Sequence, residues 1–105
     1  MLNYHRIGDP DATPYDRGLF SARQDAFAEQ VAHLARSCDV ISPADIETIR
    51  RERHGRFVLV TFDDGYRDNY VLAVPVLASR GVPATFFICT GFIDRPHLAW
   101  WDEIA

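Results

Sequence analysis

Hydrophobic and polar positions along this chain follow two alternating periods, and each change of period marks an element. Leu2 to Ile7 is a short, partly apolar run stopped by Gly8-Asp9-Pro10, which predicts a first strand and then a loop from Asp9 to Gly18. Phe27, Val31 and Leu34 recur at helical spacing behind a Ser21…Gln24 capping-box pattern, which predicts a helix from Ala22 to Ser37. Asp39 to Ser42 reads as a short strand. Ser42 as cap, Pro43 in the first helical position and Asp45 in the first turn then open a second helix that fades near His54-Gly55. Phe57 to Phe62 is a continuous apolar, β-branched run ended by Asp63-Asp64-Gly65, the pattern of a strand buried on both faces. Asn69 is expected to cap the next helix, which stops at Gly81, and Pro75 inside it must kink it or restart its first turn. Ala84 to Thr90 is a further strand expected beside the central one, and Trp100 to Ala105 reads as the first turn of another helix.

Strand and helix alternate throughout, and that order builds a parallel sheet with crossover helices, so the fold class is α/β. Four parallel strands do not close a barrel. The pattern therefore reads as the N-terminal part of a single larger domain, and its open sheet edge predicts marginal stability in isolation.

At 105 residues, with 48% hydrophobic and 25% charged content, the chain has the composition of an ordinary globular domain. A net charge of −4 disfavours nucleic acid, and the cluster Arg50, Arg51, Arg53 and Arg56 is diluted by Asp45, Glu47 and Glu52. No run is long and apolar enough to cross a membrane, and no export signal opens the chain, so as written it is expected to be cytoplasmic. All 11 basic residues are arginines, which excludes a Walker A lysine, a Schiff-base lysine and a kinase-type phosphate-binding lysine within the chain. Cys38 and Cys89 are too far apart for a metal-binding pair and read as buried thiols.

The chemistry concentrates at Asp63-Asp64. Ligands of parallel α/β folds bind at the carboxyl ends of the strands, and these aspartates stand at that end of the most buried one. Adjacent carboxylates repel unless a cation or a shared proton relieves them, and a divalent metal is the usual relief. Neighbouring aspartates at an irregular strand end can also divide the work, one holding the metal and the other facing the substrate water. The plainer alternative is an Asx-turn that caps the following helix.

Thr61-Phe62-Asp63-Asp64-Gly65 resembles the first signature motif of the polysaccharide deacetylases, carbohydrate esterase family 4 or the NodB homology domain. Tyr4-His5-Arg6, Gly65-Tyr66-Arg67-Asp68-Asn69-Tyr70, Pro83-Ala84-Thr85-Phe86-Phe87 and Trp100-Trp101-Asp102 extend that resemblance over nearly the whole chain. It implies a distorted (β/α) barrel, here partial, that removes acetyl groups from an N-acetylated polysaccharide or oligosaccharide with a divalent metal, often zinc. Carried over, Asp63 is the general base, Asp64 a metal ligand and His5 a substrate-binding or supporting residue. The family completes its metal site with a histidine pair spaced H-x-x-x-H, which His5, His33, His54 and His97 do not supply. Zinc at a catalytic site takes three protein ligands, so the site is incomplete in this chain and the isolated residues are expected to be inactive.

Of the other histidines, His33 is expected on a helix surface, His54 at a helix end and His97 in a loop. Trp100 and Trp101 are expected to put at least one ring in the core, or to form a platform for sugar rings. Three rival functions compete. A nucleotide hydrolase would read the acidic strand end as Walker B but lacks a Walker A loop, and a dehalogenase-type phosphatase needs its aspartates separated by one residue. A non-catalytic carbohydrate-binding remnant of the same fold stays open.

Overall fold

The computed structural model describes residues 1–52, 54–95 and 97–105. Arg53, part of the arginine cluster noted above, lies outside the described residues. The α/β class holds, because every strand pair is parallel. The centre of the main sheet is β5, Phe57–Phe62. Along its first half it pairs with β4, Asp39–Ile41, and along its second half with β1, Leu2–Tyr4. Its last two residues pair with β6, Thr85–Phe86. The apolar run that predicted burial on both faces is thus flanked by three strands, and its Val60, Thr61 and Phe62 are fully buried.

The core forms where α1, Gln24–Ser37, lays Phe27 and Val31 against this sheet. Phe27 meets Tyr4 edge-on at 5.1 Å, Tyr4 stacks on Phe62 at 5.2 Å, and Phe62 stacks on Phe86 at 4.8 Å. Burying each such ring contributes about 1.5–3 kcal/mol, and the offset and edge-on geometries add to it. The Tyr4 hydroxyl keeps a partner by donating to Gln30 Oε1 at 2.7 Å. Burial pushes the Tyr4 phenol above its ordinary value, since the ionised form would be poorly solvated there.

Several elements depart from their expected bounds for identifiable reasons. The run Leu2 to Ile7 is two strands: β1 ends at Tyr4, the chain bends at His5, and β2, Arg6–Ile7, pairs instead with β3, Phe20–Ala22. Ser21 therefore belongs to a strand, and the expected capping box with Gln24 does not form. The Ser21 hydroxyl accepts the His5 N–H at 2.9 Å, and Arg23 stands before α1 with no side-chain cap. The cap at Ser42 does form. Its N–H and hydroxyl both donate to Asp45 at 2.8 Å, which opens a 3₁₀ turn over Pro43–Asp45 leading into α2, Ile46–Glu52. Those bonds to the charged form hold the Asp45 carboxyl below its usual range.

The helix after β5 also differs. Asn69 does not cap it: the side chain is buried inside a wide π turn, Asn69–Ala73, that runs directly into α3, Val74–Ser79. The Val74 N–H reaches back five residues to the Asn69 carbonyl. That extra residue per turn makes room for Pro75, whose ring would otherwise press on the carbonyl one turn earlier. The strand expected from Ala84 to Thr90 contracts to β6, extended by one further bond from the Phe87 N–H to the Phe62 carbonyl at 2.8 Å. Beyond it the chain turns through Thr90–Phe92 towards α4, Trp100–Glu103, and lies away from the sheet. Neither tryptophan enters the core, because Trp100 is exposed and Trp101 half-buried. Cys38 and Cys89 are free but only half-buried. No helix among the described residues is long and apolar enough to cross a membrane.

Candidate active site

The register between β1 and β5 builds the site. Asn3 stands beside Thr61 and Tyr4 beside Phe62, and the Asp63 N–H extends the ladder by donating to the Tyr4 carbonyl at 3.0 Å. Asp63 is thereby set next to the point where the first strand breaks at His5. Thr61 is a hydroxyl in an otherwise apolar strand and must find an acceptor when buried; it donates to Asn3 Oδ1 at 2.8 Å. The same amide then donates from Nδ2 to Asp63 Oδ2 at 2.9 Å. His5 Nε2 lies 3.8 Å from that oxygen, with both side chains about one-third exposed. A carboxylate, an amide that orients it and an imidazole converge at the carboxyl ends of two parallel strands.

Asp64 goes elsewhere. Its φ of 70° lies in the left-handed region, a conformation that aspartate tolerates better than most side chains, and Gly65 follows at φ 70°. A Cβ on Gly65 would meet the tip of the Ile88 side chain at 3.0 Å, a tight contact added to a left-handed conformation that favours glycine. The turn swings Asp64 away from Asn3 and into a cavity of about 710 Å³, lined also by Arg6, Tyr66, Ile88, Phe92 and Leu98. The two aspartates, adjacent in sequence, serve different spaces.

One wall of the cavity is a polar assembly that the sequence reading missed. Arg6 Nε donates to Asp68 Oδ2 at 2.9 Å, and its guanidinium lies over the Phe20 ring at 4.5 Å and the Tyr66 ring at 4.8 Å. Trp101 Nε1 donates to the Tyr66 hydroxyl at 2.7 Å, tying α4 to this wall. Desolvation raises the Tyr66 phenol above its ordinary range, and the bond from Trp101 partly offsets it. Asp68 also accepts the Ile7 N–H at 3.0 Å, and Asn69 Nδ2 donates to the His5 carbonyl at 2.7 Å. The signals available beforehand were Thr61, a buried hydroxyl in need of a partner, and the Gly65–Tyr70 run that extends the family resemblance; nothing local pointed to Asn3 or to the partners that Asp68 and Asn69 take.

The remaining histidines stay apart. His33 and His54 are exposed, as expected. His97 lines the cavity edge-on to Phe92 at 4.7 Å. Among the described residues no three His, Cys, Asp or Glu side chains come together as a metal would require. These residues do not fit a complete catalytic ion site: Asp63 is engaged with Asn3, and of the carboxylates that line the cavity with Asp64, Asp68 pairs with Arg6 and Asp102 accepts the Asp16 N–H.

Known proteins resemble this chain in sequence and fold. The family model described as polysaccharide deacetylase matches residues 50–105. The poly-β-1,6-N-acetyl-D-glucosamine N-deacetylase of Escherichia coli K12 is 30% identical over 113 aligned residues, which cover 99% of this chain and 16% of that protein. The chain thus spans about a sixth of the length of that relative. Among solved structures, the Streptococcus pyogenes deacetylase PplD in complex with acetate superposes with a TM-score of 0.72 at 25% identity, over 93% of this chain and 45% of that one. IcaB from Ammonifex degensii superposes with a TM-score of 0.66 at 33% identity, over 87% of this chain and 38% of that one. The acidic strand end, the turn that parts its two aspartates and the matched residues lead to one conclusion: this chain belongs to the polysaccharide deacetylase family.

Proposed function

We propose that these residues form the N-terminal part of a single deacetylase domain, a segment of a distorted (β/α) barrel, that hydrolyses N-acetyl groups on a polysaccharide of amino sugars. The observation that carries this reading is the convergence of Asp63, Asn3 and His5 at the strand ends, with Asp64 turned into the adjoining cavity. Poly-β-1,6-linked N-acetylglucosamine, the substrate in the name of the E. coli relative, is the proposed substrate type.

Amide hydrolysis needs a base to take a proton from water and an acid to give one to the departing nitrogen. Asp63 takes the first role. Asn3 holds Oδ2, so the carboxylate is fixed in orientation before substrate arrives. As the water oxygen bonds to the acetyl carbon, its proton passes to Asp63. The C–N bond then breaks and the amine nitrogen must be protonated. His5, 3.8 Å from Asp63, is the group positioned to supply that proton, which sharpens the expected substrate contact into a chemical role. Asp64 is the carboxylate available to a divalent cation, zinc being the expected one, whose other ligands must come from outside the described residues. The isolated chain is therefore expected to be inactive.

The test joins the 105-residue chain to the C-terminal part of the E. coli relative's deacetylase domain and measures acetate release from N-acetylglucosamine oligomers. The chimera is expected to turn over and the chain alone not to. Asp63→Asn should lower kcat by about 10²–10⁴-fold with bound metal unchanged, whereas Asp64→Asn should lower metal content. Full turnover with Asp63→Asn would reject the assignment. A chimera that binds the oligomers without releasing acetate would favour the non-catalytic carbohydrate-binding reading.

A further inference from the structure

A strand that leaves one sheet to join another has to change direction within about one residue, and in this chain that residue is His5. The bend lies outside both ladders, and from β3 the Ser21 hydroxyl accepts the His5 N–H at 2.9 Å. The other side of its backbone is held by the helix after β5. Asn69 Nδ2 donates to the His5 carbonyl at 2.7 Å, Asp68 Oδ1 accepts the Ile7 N–H at 3.0 Å, and Asp68 Oδ2 accepts from Arg6 Nε at 2.9 Å. Asn69 Nδ2 also reaches Asp68 Oδ1 at 3.2 Å, which makes the two side chains one clamp.

We propose that Asp68 and Asn69 are positioning residues that aim the His5 imidazole at Asp63, a role that rests on the reading of His5 as the proton donor. The clamp sits where the first turn after the Asp63-Asp64-Gly65 loop widens into the π turn, so the strand end that carries Asp63 and the bend that carries His5 are tied to one rigid start of a helix. Asn69 is 3% exposed, and its Oδ1 has no partner among the described residues. A leucine of similar size would avoid that unmet oxygen, so core packing alone does not account for an amide here. What the amide supplies is the bond to the His5 carbonyl. Arg6, held between Phe20 and Tyr66, fixes the Asp68 side chain in place through its bond to Oδ2.

The proposal is tested on the 105-residue chain with ¹³C-labelled histidine. Asp63→Asn is expected to shift the ring signals of His5 and leave those of His33 where they are. On an Asn69→Leu background the same substitution should leave the His5 signals unmoved while the backbone amide spectrum keeps its folded dispersion. Asp68→Asn, which keeps an oxygen for the Ile7 N–H, should preserve the response, and Asp68→Ala should lose it. That conservative pair carries the test if Asn69→Leu does not fold. An undiminished His5 response in folded Asn69→Leu or Asp68→Ala overturns the proposal, as does the absence of any response to Asp63→Asn in the otherwise unchanged chain. Wild-type turnover by the Asp63→Asn chimera instead rejects the chemistry of the site, and the two failures are read from separate measurements.

Discussion

The face of the sheet under α1 and the side occupied by residues 87–104 contain similar side chains in opposite circumstances. Under α1, Phe27 and Phe62 are fully buried, and Tyr4, Val31 and Val60 close around them. After β6, Phe87 is 55%, Trp100 66% and Ile104 75% exposed, and Ile88, Ile93 and Leu98 are also on the surface. The difference is not one of hydrophobicity. The first group recurs at the spacings of a helix and a strand that face each other, so each ring finds a partner, whereas the second follows irregular turns with no opposing element. The well-packed side supplies rigidity, and the cavity that Asp64 enters opens on the side with little packing, where a ligand has room.

That contrast can be broken at its strong end. Phe62→Ala removes a ring that stacks on both Tyr4 and Phe86 and should cost about 3–5 kcal/mol, read as a lower urea midpoint or outright loss of the folded amide spectrum. A smaller effect should come from raising the pH. The folded-state phenols of Tyr4 and Tyr66 titrate above their ordinary value of 10.0, so the stability linked to them is complete below that value and is lost as the pH rises from there through the raised folded-state values. Urea midpoints on either side of pH 10.0 should fall with pH, and Tyr4→Phe should flatten part of that slope. The smallest effect is expected on the open side. Phe87→Ser should change stability by no more than about 0.5 kcal/mol, since its ring is mostly in water already. A loss comparable to that of Phe62→Ala would mean that residues 87–104 are packed after all.

The same division governs what could be read from the chain. Phe57–Phe62, the helix carrying Phe27 and Val31, and the cap at Ser42 were legible because period, β-branching and capping act over a few residues. The acidic pair Asp63-Asp64 was legible as the end of that strand because two carboxylates and a glycine close an apolar run. The bend at His5 was not, since Leu2 to Ile7 is one run by local pattern and divides only because β3 offers a second partner. The roles of Ser21 and Asn69 were misread for the same reason. Both looked like helix caps from their neighbours, and both were recruited by the His5 backbone, distant in sequence.

The order of residues by itself determined the α/β class, the central strand and the aspartate pair at its end, because each follows from side-chain size, polarity and spacing along a few turns of chain. Only the tertiary structure decided that Asp63 looks toward Asn3 and His5 while Asp64 enters the cavity, and that Asp68 and Asn69 hold the bend between them. Those outcomes depend on hydrogen bonds between groups some 60 positions apart, for example 60 between Asn3 and Asp63 and 64 between His5 and Asn69, and no local pattern encodes which distant partner a polar side chain will meet.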